Sequence, residues 1–294
     1  TVTMNAASMN NSGFEFSATY RNRDHDFKYE LSANLSTLRN RVTSLGFGTD
    51  SYISGAYITN VGQEIGQFYG WAYEGIARTQ EDLDNHATQE GAQIGDCLYK
   101  DISGPDGKPD GKVDDNDQVV LGSGMPKIHF GLNARFEYKR FDLSIATFGA
   151  LNYHVSDDIY NSLNSCYGWG NKEVGMLDAN RFSEDGSTYL SNVPRTYVTN
   201  SASLGWNDLF SSRKIQNAAY WKIANVELGY NFPNEWFGKY VSDVRFYVSA
   251  QNLHTFTGYH GYNVDYAGGT FTPGYNFCSY PTARTFMCGV HFTF

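Results

Sequence analysis

The chain has 294 residues and a formal net charge of −9. This charge argues against nucleic-acid binding, because nothing in the sequence supplies the basic stripe that phosphate contacts require. No apolar run approaches the roughly 18 residues that a transmembrane helix needs. The chain begins at Thr1 without a charged and then apolar signal segment, which suggests a processed or truncated N-terminus. Aromatic residues make up 16% of the sequence, and the length suits one large β domain or two smaller ones.

The first part of the chain predicts a β-hairpin. Apolar and polar residues alternate over 13–20 and again over 27–35, with a charged turn at 22–26 between them. A period of two places the apolar side chains on one face of a strand and the polar ones on the other. Two weaker strands follow around 52–61 and 66–77, where glycines interrupt the alternation.

The remaining strands are separated by connections that are either very short or very long. A polar insertion over 78–126 precedes the clearest hairpin, whose strands 128–138 and 141–151 are joined by two residues only. The segment 153–218 has no sustained periodicity. Three more strands are predicted, over 219–232, 244–256 and 284–294. A short connection joins the first two of them, and a long loop precedes the last.

The last strand alternates up to its final residue, Phe294. A strand in an outer-membrane barrel shows apolar side chains to lipid and polar ones to the lumen, with aromatics at the lipid–water boundary. An edge or core strand of a soluble sandwich is the alternative. Alternating short turns and long loops favour the barrel. So does the charge on the polar faces, carried by Glu15, Lys28, Glu30, Arg135, Glu137, Asp142, Glu227 and Arg245.

The strand count predicts an all-β chain that is part of a larger barrel. About nine antiparallel strands are expected, and nine strands would leave two open edges, which lipid does not tolerate. Several segments resemble one family: NAASMNNSGFEF (5–16), VGQEIGQFYG (61–70), GDCLYKD (95–101), YKRFDLS (138–144), YVSAQNL (247–253), TFTGYHGY (255–262) and YPTARTF (280–286). They span nearly the whole chain. The chain resembles the C-terminal portion of the SusC-like TonB-dependent transporters (the SusC/RagA family) of Bacteroidota outer membranes.

The resemblance implies a transmembrane β-barrel of roughly 22 strands with a plugged lumen. Residues 1–294 are expected to be the C-terminal part of that barrel, with the plug and the N-terminal strands absent from this chain. Long loops would be extracellular, short turns and the C-terminus periplasmic, and Phe294 an assembly signal. The implied partners are the lipid bilayer, the N-terminal plug and barrel portion, a SusD-like surface lipoprotein acting as a lid, and TonB–ExbB–ExbD acting through the plug.

An aspartate-rich stretch in the first insertion predicts a structural Ca²⁺ site. Residues 110–117 match positions five to twelve of an EF-type loop, with Gly111 at the sharp turn and the Lys112 carbonyl as a ligand. Six extra residues interrupt the loop, and an aspartate replaces the usual final glutamate. A solvated acidic loop is the alternative. The candidate ligands are Asp101, Ser103, Asp110, Lys112, Asp114 and Asp117.

Aromatic residues in the two later loops are candidates for contact with substrate or with the lid. Aromatic faces stack on sugar rings and pack against peptide side chains with little loss of entropy. Packing within the loops is the alternative for each of them. The candidates are Tyr160, Tyr167, Trp169, Trp206, Tyr259, Tyr262, Tyr266, Phe271 and Tyr275.

No catalytic motif stands out, since the seven histidines are scattered and no G-x-S-x-G or phosphate-binding loop is present. In an oxidising compartment Cys166 and Cys278 could pair, with free thiols as the alternative for all four cysteines.

The resemblance and the lack of a catalytic motif together predict import rather than enzymatic catalysis, with oligosaccharides as the first candidate substrate and oligopeptides as the second. The rival classes are a soluble or surface calcium-dependent carbohydrate-binding β-sandwich and a surface hydrolase domain.

Overall fold

The computed structural model describes residues 7–166, 170–196, 205–237, 241–265, 268–277 and 279–294. Its first strands are β1 (Ser8–Ser12), β2 (Glu15–Asn22), β3 (Phe27–Thr37), β4 (Arg39–Ser44), β5 (Ser51–Ser54), β6 (Tyr57–Asn60), β7 (Gln67–Trp71), β8 (Tyr73–Ile76) and β9 (Cys97–Tyr99). The later strands are β10 (Gln118–Ser123), β11 (Ile128–Tyr138), β12 (Phe141–Leu151), β13 (His154–Asp157), β14 (Gln216–Asn217), β15 (Tyr220–Asn231), β16 (Asp243–Thr257), β17 (Tyr275–Asn276) and β18 (Thr285–Thr293). Within these described ranges the helices are α1 (Gln80–Asn85) and α2 (Asp158–Leu163), and six short 3₁₀ turns lie in the loops.

Seven long strands form one antiparallel sheet in the order β18-β16-β15-β12-β11-β3-β2. The predicted hairpins are confirmed: β2 pairs with β3 and β11 pairs with β12, the latter from Ile128 opposite Leu151 to Tyr138 opposite Phe141. β3 continues the sheet on the far side of β11. The insertion between β3 and β11 therefore leaves the sheet and returns to the neighbouring position.

β1 and β4 prolong the pair β2–β3 beyond a break at Gly13. A Cβ at Gly13 would lie 1.8 Å from the carbonyl oxygen of Thr37, so only glycine allows the two backbones to approach this closely. The Thr37 N–H donates to the Phe14 carbonyl at 2.8 Å, and the Phe14 N–H donates to Thr37 Oγ1 at 3.0 Å. The two chains thus stay paired through the break.

The two weaker predicted strands belong to smaller sheets, and β8, within the second of them, pairs with β9. Residues from 51 to 71 form β5, β6 and β7, which join β10 in a four-stranded sheet of order β10-β7-β6-β5. The main sheet therefore has seven strands among the described residues, where about nine were expected. Glycines at 55, 62 and 66 take positive φ angles and turn the chain sharply, so these segments are too short to cross the main sheet.

One face of the seven-stranded sheet is apolar and exposed. Leu31, Leu132, Leu228 and Val290, from four different strands, are 43–49% exposed. The opposite face carries the charged and small polar side chains of the same strands, as the alternation predicts. Among the described residues, no helix is long and apolar enough to cross a membrane.

The buried core of the chain lies in the loops rather than against the sheet's apolar face. One cluster includes Tyr153, Val155, Tyr259 and Val264, and a second includes Cys97, Tyr99 and Val113 with partly buried aromatics around it. The described parts of the segments that lacked periodicity are therefore folded. Their side chains pack through contacts between distant parts of the sequence.

A buried carboxylate joins the first long loop to the second. Asp96, 2% exposed, forms an ion pair with Arg195 and accepts hydrogen bonds from Arg195 Nη2 at 2.9 Å and from Asn207 Nδ2 at 2.7 Å. Asn207 Oδ1 in turn accepts the Cys97 N–H at 2.7 Å. A buried charge is tolerated only when it is paired and hydrogen-bonded, and this network meets that condition.

Candidate functional site

The polar face of the sheet, called here the inner face, carries an ion network near the short turns. Arg245 on β16 reaches across β15 to Asp142 on β12, with Nε to Oδ1 at 3.0 Å, and also donates to Glu227 Oε1 at 2.8 Å. The guanidinium passes over Gly229. A Cβ at Gly229 would lie 2.4 Å from Arg245 Nη2 and 2.5 Å from Asp142 Oδ1, so the bare glycine makes room for the ion pair.

We expect Gly229→Leu to displace Arg245 and to destabilise the folded protein by about 1–3 kcal/mol, the usual cost of overpacking. The measurement is the temperature at which the folded form converts to the unfolded form on SDS gels. Gly258→Ala is the control, because no heavy atom lies within 4 Å of a Cβ there. Equal transition temperatures for the two variants would contradict the role given to Gly229.

A cavity of about 750 Å³ lies at the other end of the inner face, near the long loops. Its wall is mainly apolar and includes Met9, Phe148 and Tyr220 together with Val264 and Asp265 from the last long loop. Cavities of roughly 300–1,000 Å³ with apolar walls and a few polar groups are typical of small-molecule sites.

Described parts of the last long loop lie over this end of the inner face, and we call residues 258–265 and 268–277 together the strap. Asp157, at the end of β13, accepts hydrogen bonds from the Tyr259 hydroxyl and from Asn276 Nδ2, the latter at 3.3 Å. Its other oxygen accepts the Tyr160 N–H at 2.9 Å and so caps α2. Burial, and then the hydrogen bond to Asp157, raise the pKa of Tyr259 above its ordinary value, so the phenol stays a donor. Asp157 therefore fixes both ends of the strap.

A second set of contacts holds the strap at Val264 and Asp265. Lys222 on β15 is 5% exposed, and its Nζ donates to Asp265 Oδ2 at 2.6 Å. The Tyr153 hydroxyl donates to the Val264 carbonyl at 3.0 Å. Sequence reasoning missed Lys222, Asp265 and Asp157, because a single charged residue in a strand or loop carries no signal of its partner.

The aromatic candidates divide into exposed and packed residues. Tyr262 and Phe271 are 65% and 48% exposed, which leaves their rings available for contact. Trp206 packs against the cluster around Tyr99, and Tyr259 is buried at the strap. The other described candidates are partly buried: Tyr160 stacks on His260 at 5.8 Å, and the Tyr275 hydroxyl donates to Asp158 at 3.1 Å. Tyr167, Trp169 and Tyr266 lie outside the described residues.

The aspartate-rich loop forms two hydrogen-bonded groups. In the first, Asp101 accepts the Gly111 N–H at 2.7 Å and Asp110 accepts the Lys112 N–H at 3.0 Å. In the second, the fully buried Asp117 accepts the Ser103 N–H at 2.9 Å and the Asp114 N–H at 2.8 Å. No group of three or more His, Cys, Asp or Glu side chains in the described part of the chain is arranged to hold a metal ion.

Two cysteines are buried free thiols. Cys97 and Cys166 are both fully buried, and burial raises their pKa values to about 12 and about 11. Cys278, the predicted partner of Cys166, lies outside the described residues. Since the thiolate is the reactive form, neither buried thiol is reactive at neutral pH.

We expect the folded protein carrying Cys278→Ser and Cys288→Ser to resist a maleimide at pH 8, because Cys97 and Cys166 remain buried and protonated. The measurement is the mass of the peptides that contain Cys97 and Cys166, taken from a digest after labelling, and each peptide should carry a label only if the protein was unfolded first. Adding Gly175→Cys, in an exposed turn with open space around its Cβ, gives a positive control. Labelling of the folded protein without that control cysteine would contradict the burial.

Comparison with known proteins places these features in a family context. No family model matches the chain. The chain is 29% identical to TonB-dependent receptor P3 of Formosa agariphila over 99% of its own length, and 25% identical to TonB-dependent receptor SusC of Bacteroides thetaiotaomicron over 100%. Over its whole length the chain is SusC-like. It spans 29% and 27% of the lengths of these two relatives.

Solved structures show the same fold. The SusC-like chain superimposes on a chain of the RagAB peptide transporter with a TM-score of 0.76 and 21% identity, covering 98% of this chain and 29% of the other. The RagAB peptide importer in its open-open state gives a TM-score of 0.72 at 22% identity, over 98% of this chain and 29% of the other. The antiparallel sheet is thus part of a large β-barrel wall, which confirms the predicted fold class.

Proposed function

We propose that this SusC-like chain forms part of the wall of a TonB-dependent barrel that imports large nutrients across the outer membrane. The observation that carries the proposal is the seven-stranded sheet, whose apolar face is exposed while its opposite face holds ion pairs. A soluble sandwich buries its apolar face against a second sheet, whereas a barrel wall presents it to lipid.

The complete importer would include parts beyond this chain. We propose that the apolar face meets the lipid bilayer and that the long loops are extracellular, with the short turns and the C-terminus on the periplasmic side. The N-terminal plug and barrel portion would complete the wall, TonB–ExbB–ExbD would supply energy through the plug, and a SusD-like lipoprotein would cover the long loops. The chain itself would line and shape the path and would not act as an enzyme.

Fractionation and uptake together test this proposal. We expect the full-length protein to be recovered in the outer-membrane fraction and to require detergent for release. Cells that lack the gene, or that lack TonB, should lose growth on the imported nutrient at limiting concentration. Recovery in the soluble fraction without detergent would instead support the rival calcium-dependent carbohydrate-binding sandwich.

Two substrate classes fit different features of the loops. The exposed rings of Tyr262 and Phe271 suit stacking on sugars, which supports oligosaccharides as the first candidate. The likeness to a peptide transporter and the apolar wall of the cavity support oligopeptides as the second. Growth of the gene deletion strain on purified oligosaccharide and on peptide as sole carbon source distinguishes them.

The calcium site stays a prediction of the aspartate-rich loop. If Ca²⁺ draws the two hydrogen-bonded groups together, millimolar calcium should protect residues 101–117 from amide exchange, with a Kd of about 10⁻⁴–10⁻³ M as in other extracellular sites. Asp110→Asn combined with Asp114→Asn should abolish this protection and leave the barrel assembled. Identical exchange in calcium and in chelator would contradict the site.

A further inference from the structure

Lys222 is a buried cation that does not itself line the apolar cavity but contacts two residues that do. It lies opposite Phe148 in the β12–β15 pairing, and its Nζ is 5.7 Å from the centre of that ring. Phe148 lines the cavity, as does Asp265, the anion that Lys222 contacts. A buried ammonium group is costly unless an anion compensates it, so the site requires a carboxylate or an equivalent group.

That carboxylate comes from the strap rather than from the sheet. Asp265 lies in the strap, where its N–H donates to Asn263 Oδ1 at 2.9 Å, and its side chain is 27% exposed. The Lys222 side chain is only 6% exposed. The cation is therefore fixed in the wall, whereas its partner belongs to a loop and is accessible from the cavity.

We propose that Asp265 occupies a carboxylate-binding position, and that the cavity takes an apolar ligand whose own carboxylate replaces Asp265 at Lys222. This inference rests on the proposed import function and deepens it by naming the chemical class of ligand. The shared chemistry is a carboxylate on an apolar body, which either the C-terminus of a peptide or a fatty acid supplies.

Replacement of Asp265 by the carboxylate of the ligand would leave the strap attached to the rest of the chain. Ser156 N–H donates to the Gly274 carbonyl at 2.9 Å, and Asn276 Nδ2 donates to the Tyr259 hydroxyl at 2.8 Å. These contacts do not involve Asp265. The apolar body of the ligand would pack against Met9, Met125 and Val264, which line the same cavity.

Calorimetric titration of the purified full-length transporter tests the proposal with two pairs of probes. The first pair is the N-acetylated tetrapeptide Ala-Leu-Ala-Phe with a free C-terminus and the same peptide as its amide, and the second is octanoate and octanamide. At least one acid should bind more tightly than its amide, because only the acid gains a charge-assisted hydrogen bond from Lys222. The preferred pair identifies a peptide or a fatty acid as the source.

Two variants distinguish the role of Lys222 in ligand binding from that of Asp265. Asp265→Asn removes the internal competitor, so affinity for the preferred acid should increase about tenfold, which corresponds to 1.4 kcal/mol, while the amide is unaffected. Lys222→Met combined with Asp265→Asn should remove the preference for the acid without leaving a buried charge unpaired. Lys127→Met is the matched control, because it removes a partly buried ion pair with Glu64. Glu64 does not line the cavity, whereas Asp265, the partner of Lys222, does.

Acids that bind no better than their amides to the Asp265→Asn protein, in both pairs, would overturn the proposal. The same holds if the Lys127→Met control loses the preference as fully as the Lys222 variant. The import function is tested separately: a deletion strain with unimpaired growth would refute import and leave a measured preference for the acid intact. Lost growth without any such preference would refute the carboxylate site alone.

Discussion

Leu132→Arg is expected to destabilise the folded protein in a bilayer by about 2–4 kcal/mol, the cost of an arginine on the lipid face of a barrel near its midplane. Leu132 is 47% exposed on the apolar face, near the middle of β11. The measurement is the free energy of unfolding in lipid vesicles by urea titration. The same substitution on the surface of a soluble protein would change the stability by only about 0.5 kcal/mol.

Asn133→Arg provides the matched control on the next residue of the same strand. Asn133 is exposed on the inner face, opposite Ser32 on one side and Ala146 on the other, both small residues. An arginine there has space and faces the polar side of the sheet, so we expect little loss of stability. Equal effects of the two substitutions would show that the apolar face does not meet lipid.

Asp157→Ala is expected to open the strap. It removes the acceptor for the buried Tyr259 hydroxyl and Asn276 amide as well as the cap of α2, and these losses cost about 2–5 kcal/mol together. The measurement is amide exchange of residues 154–163 and 270–277, which should become faster while exchange in β11 and β12 is unchanged.

Asp178→Ala is the control for the strap prediction. The Asp178 side chain is 39% exposed and contacts Arg181 at 2.8 Å in a surface ion pair, which contributes at most about 1 kcal/mol. Its replacement should leave exchange in the strap unchanged. A strap that exchanges at the same rate in the Asp157→Ala protein as in the wild type would show that other contacts hold it.

The main sheet was predictable from sequence because its signal is local. Alternation over 27–35, 128–138 and 141–151 assigned each side chain to a face, and the observed register keeps those faces together. The prediction was less accurate over 52–77, since glycines shorten the apolar runs and the segments form two smaller sheets, one with β10 and one with β9, instead of joining the main sheet. Local periodicity does not specify which strand a short segment pairs with.

The loops and the candidate site depended on tertiary structure. Lys222 and Asp265 are 43 residues apart, Asp96 and Arg195 are 99 apart, and Asp157 and Tyr259 are 102 apart. The sequence alone determined that strands have one apolar and one charged face, because a period of two is a property of neighbouring residues. Only the tertiary structure decided which loop carboxylate meets which buried donor, because such pairs form when the sheet brings distant segments together.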